Sequence, residues 1–330
     1  MRLTQCLLLI ILTSSIHYNC TTTSSKQLPL LVNDTTVVQL NQMIYSSNIP
    51  NQLQDILPQY KIVWAPKAVQ GNYAVVVKNN DQQQYVLIIR GSLIALNNEA
   101  FYNWVLQDFN IFTQQKWTYT DTAAQALIAN GAAIAFNNML QLTDTATGNT
   151  LEQYIDQIHT KGGSLVISGH SLGGNIAQVY ASYIASKYKN RNWLQLCTFG
   201  ATAAGNAAFV HDMEVKYPKG KRYEIQQDVA TKFPSTQVFE TLKGLGLYNR
   251  NGINEQANNT ISSIVDIATT VVNVLDIIPE NRKYVQSKLH QITLNMPNDT
   301  RIDSTSNIVE RVYYYHKIDK YAQALGITKE

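Results

Sequence analysis

The pentapeptide Gly169-His170-Ser171-Leu172-Gly173 has the residue types of a nucleophile held at a backbone bend. Residues 164–167 before it are a short apolar run. Residues 175–188 after it place Ile176, Val179, Tyr180, Ile184 and Tyr188 at helical spacing. Gly-x-Ser-x-Gly between a strand and a helix is the pattern of a nucleophile elbow. At so tight a turn, Gly169 and Gly173 present no side chain to collide with neighbouring backbone, and Ser171 projects above the end of the sheet. The Leu172 N–H then lies at a helix start, where free donors and the positive dipole end favour an anion. That suits the oxyanion of a tetrahedral intermediate in ester cleavage. The plain alternative is a glycine-rich turn leading into a packed helix, and the strand–turn–helix context weighs against it.

A serine hydroxyl needs a base to take its proton, and the base needs an acid to orient it. On this type of elbow the chain order is serine, acid, histidine. Of the six histidines, His17 falls in the leader, His159 precedes the serine, His170 is beside it and is expected to point elsewhere, and His211 precedes the best acid. His290 and His316 remain. His316 follows the aromatic, strand-like run 312–315, and a strand-end loop is where a base is required. His290 lies in residues 284–293 and reads as a packed or surface histidine. For the acid, Asp228 directly follows a strand-like run over 223–227, whereas Asp212 sits in a helix-like stretch. A second oxyanion donor is expected after an early strand, where Ser92 follows Arg90-Gly91. The competing reading is an ordinary strand-ending turn.

These residues require a scaffold that brings strand ends together. Residues 73–77 and 85–89 read as a β-hairpin around Asn79-Asn80-Asp81, and residues 194–199 as a further strand. Helix-like patterns occupy 36–60 with Pro50 as an interruption, then 101–109, 123–142, 151–158 and the end of 308–325. Strands alternating with helices imply a mostly parallel central sheet flanked by helices, an α/β fold. Residues 240–300 read as a helical insertion whose longest amphipathic run is 261–278.

With 45% hydrophobic and 15% charged residues the composition is globular. A net charge of +3 without a basic run excludes nucleic acid as the expected partner. Cys6, Cys20 and Cys197 make no zinc-ligand spacing, so no metal is expected. Cys197 lies in an apolar run and reads as a buried thiol, with a Cys20–Cys197 disulfide as the alternative. Met1-Arg2 and the apolar residues 6–12 have the pattern of a signal peptide, too short to span a bilayer. The expected organisation is a signal peptide over 1–20, a polar tether over 21–35 and one domain over 36–330. Export to the periplasm or medium follows, or lipid attachment at Cys20.

Taken together, the ordered motifs resemble the class 3 lipase family, the fungal-lipase-like branch of the α/β-hydrolases. Arg90-Gly91-Ser92 with Asn103-Trp104 and Asp108 looks like that family's oxyanion and lid segment, and residues 166–174 like its elbow. Thr198-Phe199-Gly200-Ala201 with Gly205-Asn206 resembles its next strand and turn. Asp228-Val229 with Phe233-Pro234 resembles its acid loop, and His316 with Tyr321 its terminal histidine segment. The resemblance spans residues 60–240 and 305–325. It implies an α/β-hydrolase fold, a Ser171–Asp228–His316 triad, Ser92 and Leu172 as oxyanion donors, and a lid between Leu93 and Phe109 with Leu93, Ile94, Leu96, Phe101 and Trp104 as its apolar residues. Thr202-Ala203-Ala204 and Ala230-Thr231 depart from the family pattern, which bears on pocket shape rather than on the triad.

The expected activity is hydrolysis of carboxylic esters of lipids, triacylglycerol or phospholipid, at a lipid–water interface. It would proceed through an acyl-enzyme on Ser171, without cofactor, in a monomer with peripheral membrane contact. The competing class is a non-catalytic lipid- or membrane-binding protein on the same scaffold, using the 261–278 stripe. That stripe has no Lys or Arg on its polar face and carries Asp266 and Asp276.

Overall fold

A computed structural model describes residues 32–92, 113–122, 124–235, 237–244, 278–297 and 313–327. Helix α1 (Asp34–Met43) starts where the Asn33 side chain accepts the Thr35 N–H at 3.0 Å, satisfying a donor that every helix start leaves open. It buries Val37, Val38, Leu40 and Met43. Such apolar side chains contribute about 1.5–3 kcal/mol each by leaving water. Pro50 interrupts nothing: it falls in the first turn of α2 (Ile49–Ile56), where its missing N–H is not needed.

Strands β1 (Tyr60–Trp64), β2 (Ala74–Asn79) and β3 (Gln84–Ile89) form an antiparallel meander, the last two being the expected hairpin. Strands β4 (Gln114–Lys116) and β5 (Leu127–Ala129) follow, then α3 (Asn130–Leu140). A single helix over 123–142 is therefore incorrect at its start. The three residues 127–129 are too few to declare a period, and pairing with β4 and with Gly205 makes them a strand. Helix α4 (Leu151–Thr160) opens with a reciprocal Thr150–Gln153 capping box.

The β6 (Ser164–His170), α5 (Leu172–Lys187), β7 (Leu194–Phe199) unit comes next. It is followed by β8 (Gly205–Asn206), α6 (Ala207–Lys216), β9 (Lys221–Ile225), α7 (Gln237–Gly244), β10 (Tyr284–Val285), β11 (Gln291–Leu294) and α8 (Ile318–Ala324). The main sheet has the order β1-β2-β3-β6-β7-β9-β11 and is parallel from β3 to β11. A smaller antiparallel sheet runs β10-β8-β5-β4. This is the expected α/β architecture, with one correction. The helical insertion does not reach residue 300, because β10 joins the small sheet and β11 lies parallel beside β9. Four residues with exposure alternating along the strand carry little hydrophobic signal, and only pairing with β9 reveals them. The 261–278 run lies outside the described residues except for Ile278.

The two-residue side-chain period of β6 sets the layers. Ser168 turns toward α1, where Asn41 Nδ2 donates to its Oγ at 2.7 Å, and His170 points the same way. The intervening Gly169 faces α5, which α3 and α6 cover. Helix α8 packs beside α1. The aromatic residues before His316 do not form the expected strand: residues 313–316 are a helical turn that buries Tyr315 completely. Four consecutive Val and Tyr residues favour a strand by type, but burying one ring against the core takes precedence here.

Candidate active site

Ser171 occupies the bend between β6 and α5 with φ 59° and ψ −128°, a conformation L-residues rarely adopt. The turn is pinned by Ser171 N–H donating to Phe199 O at 3.0 Å and Asn175 N–H to Ser171 O at 3.1 Å. The flanking glycines have a steric cause. A Cβ at Gly169 would stand 2.2 Å from Gly173 O, and one at Gly173 would stand 2.2 Å from Ile89 O and 2.7 Å from Gly91 N. The bare Gly169 lets the first turn of α5 close over the end of β6, and the bare Gly173 lets the loop after β3 lie directly on the elbow. Ser92 follows Gly91 in that loop, and its Oγ is buried without a hydrogen-bond partner among the described residues. Leu172 is the first residue of α5, so its N–H is one of the donors that helix geometry leaves open.

Asp228 emerges after β9 at the start of a 3-10 turn, Val229–Lys232, and is fully buried. Its carboxylate accepts from Ala230 N–H at 2.9 Å and from Tyr321 O–H at 2.5 Å. Burial and the nearby Asp228 charge raise the Tyr321 pKa well above that of a free phenol, so it remains a donor. His316 Nδ1 lies 2.9 Å from Asp228 Oδ2 and 3.1 Å from Oδ1. A carboxylate only accepts, so Nδ1 carries the hydrogen and the neutral ring leaves Nε2 bare. Nε2 lies 2.7 Å from Ser171 Oγ. Hydroxyl, imidazole and carboxylate thus form one hydrogen-bonded row drawn from residues 171, 316 and 228. Such a row can raise the nucleophilicity of the hydroxyl and return the proton to a leaving group.

The alternatives do not meet this row. His290 Nε2 lies 2.7 Å from Tyr217 O. Asp212 is paired with Lys216 Nζ at 2.7 Å and accepts Asp121 N–H at 2.6 Å. Burial lowers the Lys216 pKa while that carboxylate opposes the shift. His159 packs with Tyr188 and Trp193, and His211 is exposed on α6. Cys197 is a buried free thiol whose pKa burial pushes up. Leu93, Ile94, Leu96, Phe101 and Trp104 of the expected lid, and Cys20, lie outside the described residues.

Two contacts were not foreseen from the residues. His170 does not point away from the site. Its ring lies 4.8 Å from that of His316, and its Nε2 lies 2.7 Å from His316 O. Tyr45, just past α1, reaches His170 Nδ1 at 3.2 Å and accepts Gly91 N–H at 3.2 Å. The N-terminal helical pattern contained no signal for Tyr45, because its partners are 46 and 125 residues away.

Residues 86–238 match the family profile described as Lipase (class 3). Among solved structures, M37 lipase superposes with a TM-score of 0.72 at 16% identity, covering 89% of this chain and 93% of that one. Lipase II from Rhizopus niveus matches with a TM-score of 0.49 at 16% identity, covering 62% and 76%. A lipase from Rhizopus microsporus var. chinensis gives 0.47 at 16% identity, covering 62% and 71%. The likeness to M37 lipase extends over most of both chains and identifies the scaffold as an α/β-hydrolase fold.

Proposed function

We propose that the chain, whose residues 86–238 match the class 3 lipase profile, is a lipolytic hydrolase that cleaves carboxylic esters of lipids through an acyl-enzyme on Ser171. His316 Nε2 takes the Ser171 proton as Oγ attacks the ester carbonyl. The Leu172 N–H and Ser92 meet the oxygen that becomes negative. Asp228 holds His316 in the tautomer that can accept, and balances the positive ring that forms. The imidazolium then protonates the leaving alcohol. Water, deprotonated by the same Nε2, attacks the acyl carbon and frees the acid and Ser171.

The observation that carries this reading is the 2.7 Å approach of His316 Nε2 to Ser171 Oγ, within reach for direct proton transfer. The substrate class is triacylglycerol or phospholipid, met at a lipid–water interface. We propose further that residues 1–20 are a signal peptide, that the tether expected over 21–35 stops short of Asp34, that the chain from there acts as one domain, and that the exported protein is a monomer. Helix α1 already begins at Asp34, at the end of that tether.

The test is hydrolysis of p-nitrophenyl butyrate by purified protein. The wild type is expected to turn it over with a burst of p-nitrophenol, and Ser171→Ala should lose about 10⁴-fold or more in kcat. A Ser171→Ala variant with wild-type turnover would remove the proposal. Emulsified triacylglycerol and phosphatidylcholine vesicles, compared in parallel, assign the substrate class.

A further inference from the structure

Resting on that reading of Ser171 and His316, we infer that Tyr45 and His170 are positioning residues that lock the base and the oxyanion loop to the elbow through one directed row of hydrogen bonds. The direction of the row follows from its last member. His316 O is a backbone carbonyl and can only accept, so His170 Nε2, 2.7 Å away, carries the hydrogen. Burial, reinforced by the neighbouring His316, lowers the His170 pKa well below the ordinary histidine value, so the ring is neutral and Nδ1 is bare. Nδ1 therefore accepts the Tyr45 hydroxyl hydrogen at 3.2 Å. The Tyr45 oxygen, having given its hydrogen, accepts the Gly91 N–H at 3.2 Å. Burial raises the Tyr45 pKa, which keeps the phenol protonated for this task.

The row runs from Gly91 through Tyr45 and His170 to His316. Each end belongs to a segment that must be held still: Gly91 precedes Ser92, and the final acceptor is the carbonyl of the base residue itself. His170 also precedes the nucleophile. The fit is close at the hub, since a Cβ at Gly91 would stand 2.6 Å from Tyr45 Oη and 2.7 Å from His170 O. One helical turn before Tyr45, Gln42 Nε2 donates to Asp319 Oδ1 at 2.6 Å, fixing the first turn of α8 just after the base. The C-terminal end of α1 and the residue just past it thus hold the base segment at two points, at His316 O through His170 and at Asp319 directly. Residues 34–45 lie before the segment that matches the family profile.

The experiment is steady-state hydrolysis of p-nitrophenyl butyrate, with the rate of Ser171 phosphorylation by diethyl p-nitrophenyl phosphate and thermal melting measured on the same preparations. Tyr45→Phe, which removes one oxygen, and His170→Leu are each expected to lower kcat and the phosphorylation rate about 10- to 100-fold with KM within about 3-fold, the mark of misplaced reacting groups rather than lost binding. The double variant should be no worse than the poorer single one, because both break the same row. His170→Gln, whose amide can accept from Tyr45 and donate to His316 O, is expected to retain activity within about 5-fold. Should His170→Leu not fold, Tyr45→Phe and His170→Gln decide the matter alone. Wild-type kcat in a folded Tyr45→Phe protein, or an effect confined to KM, would overturn the inference. So would a His170→Gln loss as large as that of His170→Leu. An active Ser171→Ala protein would instead remove the functional reading beneath it, so the two failures are distinguishable.

Discussion

A buried histidine stands at each end of the parallel sheet. His316 lies where β6 and β9 finish, and His290 where β9 and β11 begin, its carbonyl accepting the Arg222 N–H at 2.7 Å. The two are 6% and 4% exposed, so burial does not distinguish them. Their partners do. At the His290 end, Nε2 meets the Tyr217 carbonyl, which can accept a hydrogen bond but cannot exchange a proton. Burial then lowers the His290 pKa, with the Tyr217 contact and Glu214 opposing the shift and Arg222 adding to it. At the His316 end, a carboxylate faces one nitrogen and a hydroxyl the other. A ring so placed can gain a proton on one side while its new charge is balanced on the other. A histidine becomes a base through the pair of groups it bridges, and in α/β sheets such groups collect where parallel strands end and loops begin.

The sharpest way to break this comparison is to remove each ring in turn. His316→Ala is expected to lose about 10⁴-fold or more in kcat for p-nitrophenyl butyrate, while His290→Ala stays within about 3-fold of wild type. The opposite ranking would move the base to the other end of the sheet. A smaller effect tests the oxyanion side of the active end. Ser92 Oγ is buried with no partner among the described residues. An unsatisfied hydroxyl there is costly unless it meets charge during the reaction. Ser92→Ala is therefore expected to lower kcat about 100-fold, the usual loss for one oxyanion donor, with unchanged or slightly higher thermal stability. Wild-type kcat in Ser92→Ala would leave the backbone donors as the oxyanion site.

The two ends also differ in how much of them could be read from the sequence. The elbow is legible because its cause is local: glycines at 169 and 173 with a serine between them leave few conformations for the turn. The carboxylate and the imidazole proposed as acid and base are singled out by chain order, which reduces six histidines to two before any geometry is known. What escapes is non-local. Tyr45 acts through partners 46 and 125 residues away, and an aromatic at the edge of an amphipathic helix looks like any partly buried ring. The role of His170 escapes for the same reason, since sequence adjacency to Ser171 says nothing about a carbonyl 146 residues later. At the His290 end, β11 reads as part of a helical insertion because its four residues owe their strand form to pairing with β9. The strand-like run before His316 fails in the opposite direction, its β-forming residues folding as a helical turn so that Tyr315 is buried.

The smallest effect tests the His290 end through acid stability. His290 has a lowered folded-state pKa, as does His170. In the unfolded chain each takes up its proton near the ordinary histidine value of about 6.5, while the folded chain resists it. Below that pH the unfolded state binds more protons, so stability falls as pH falls. The contribution is intact above about pH 6.5 and is lost progressively toward the folded-state pKa, at up to about 1.4 kcal/mol per pH unit for each group. Carboxylates such as Glu224, whose pKa is also lowered by Arg222 and Lys232 against the cost of burial, add their own loss only at lower pH, below the ordinary glutamate range. Comparing urea unfolding of wild type and His290→Gln from pH 7.5 to 5.5 isolates one histidine from the rest. The variant starts less stable, because a flexible amide side chain takes the place of a ring fitted closely against Gly220, yet it should lose less stability on acidification. Parallel slopes would mean that His290 takes up its proton as readily folded as unfolded. The carbonyl-bound histidine would then not be the neutral counterpart that gives the contrast with His316 its meaning.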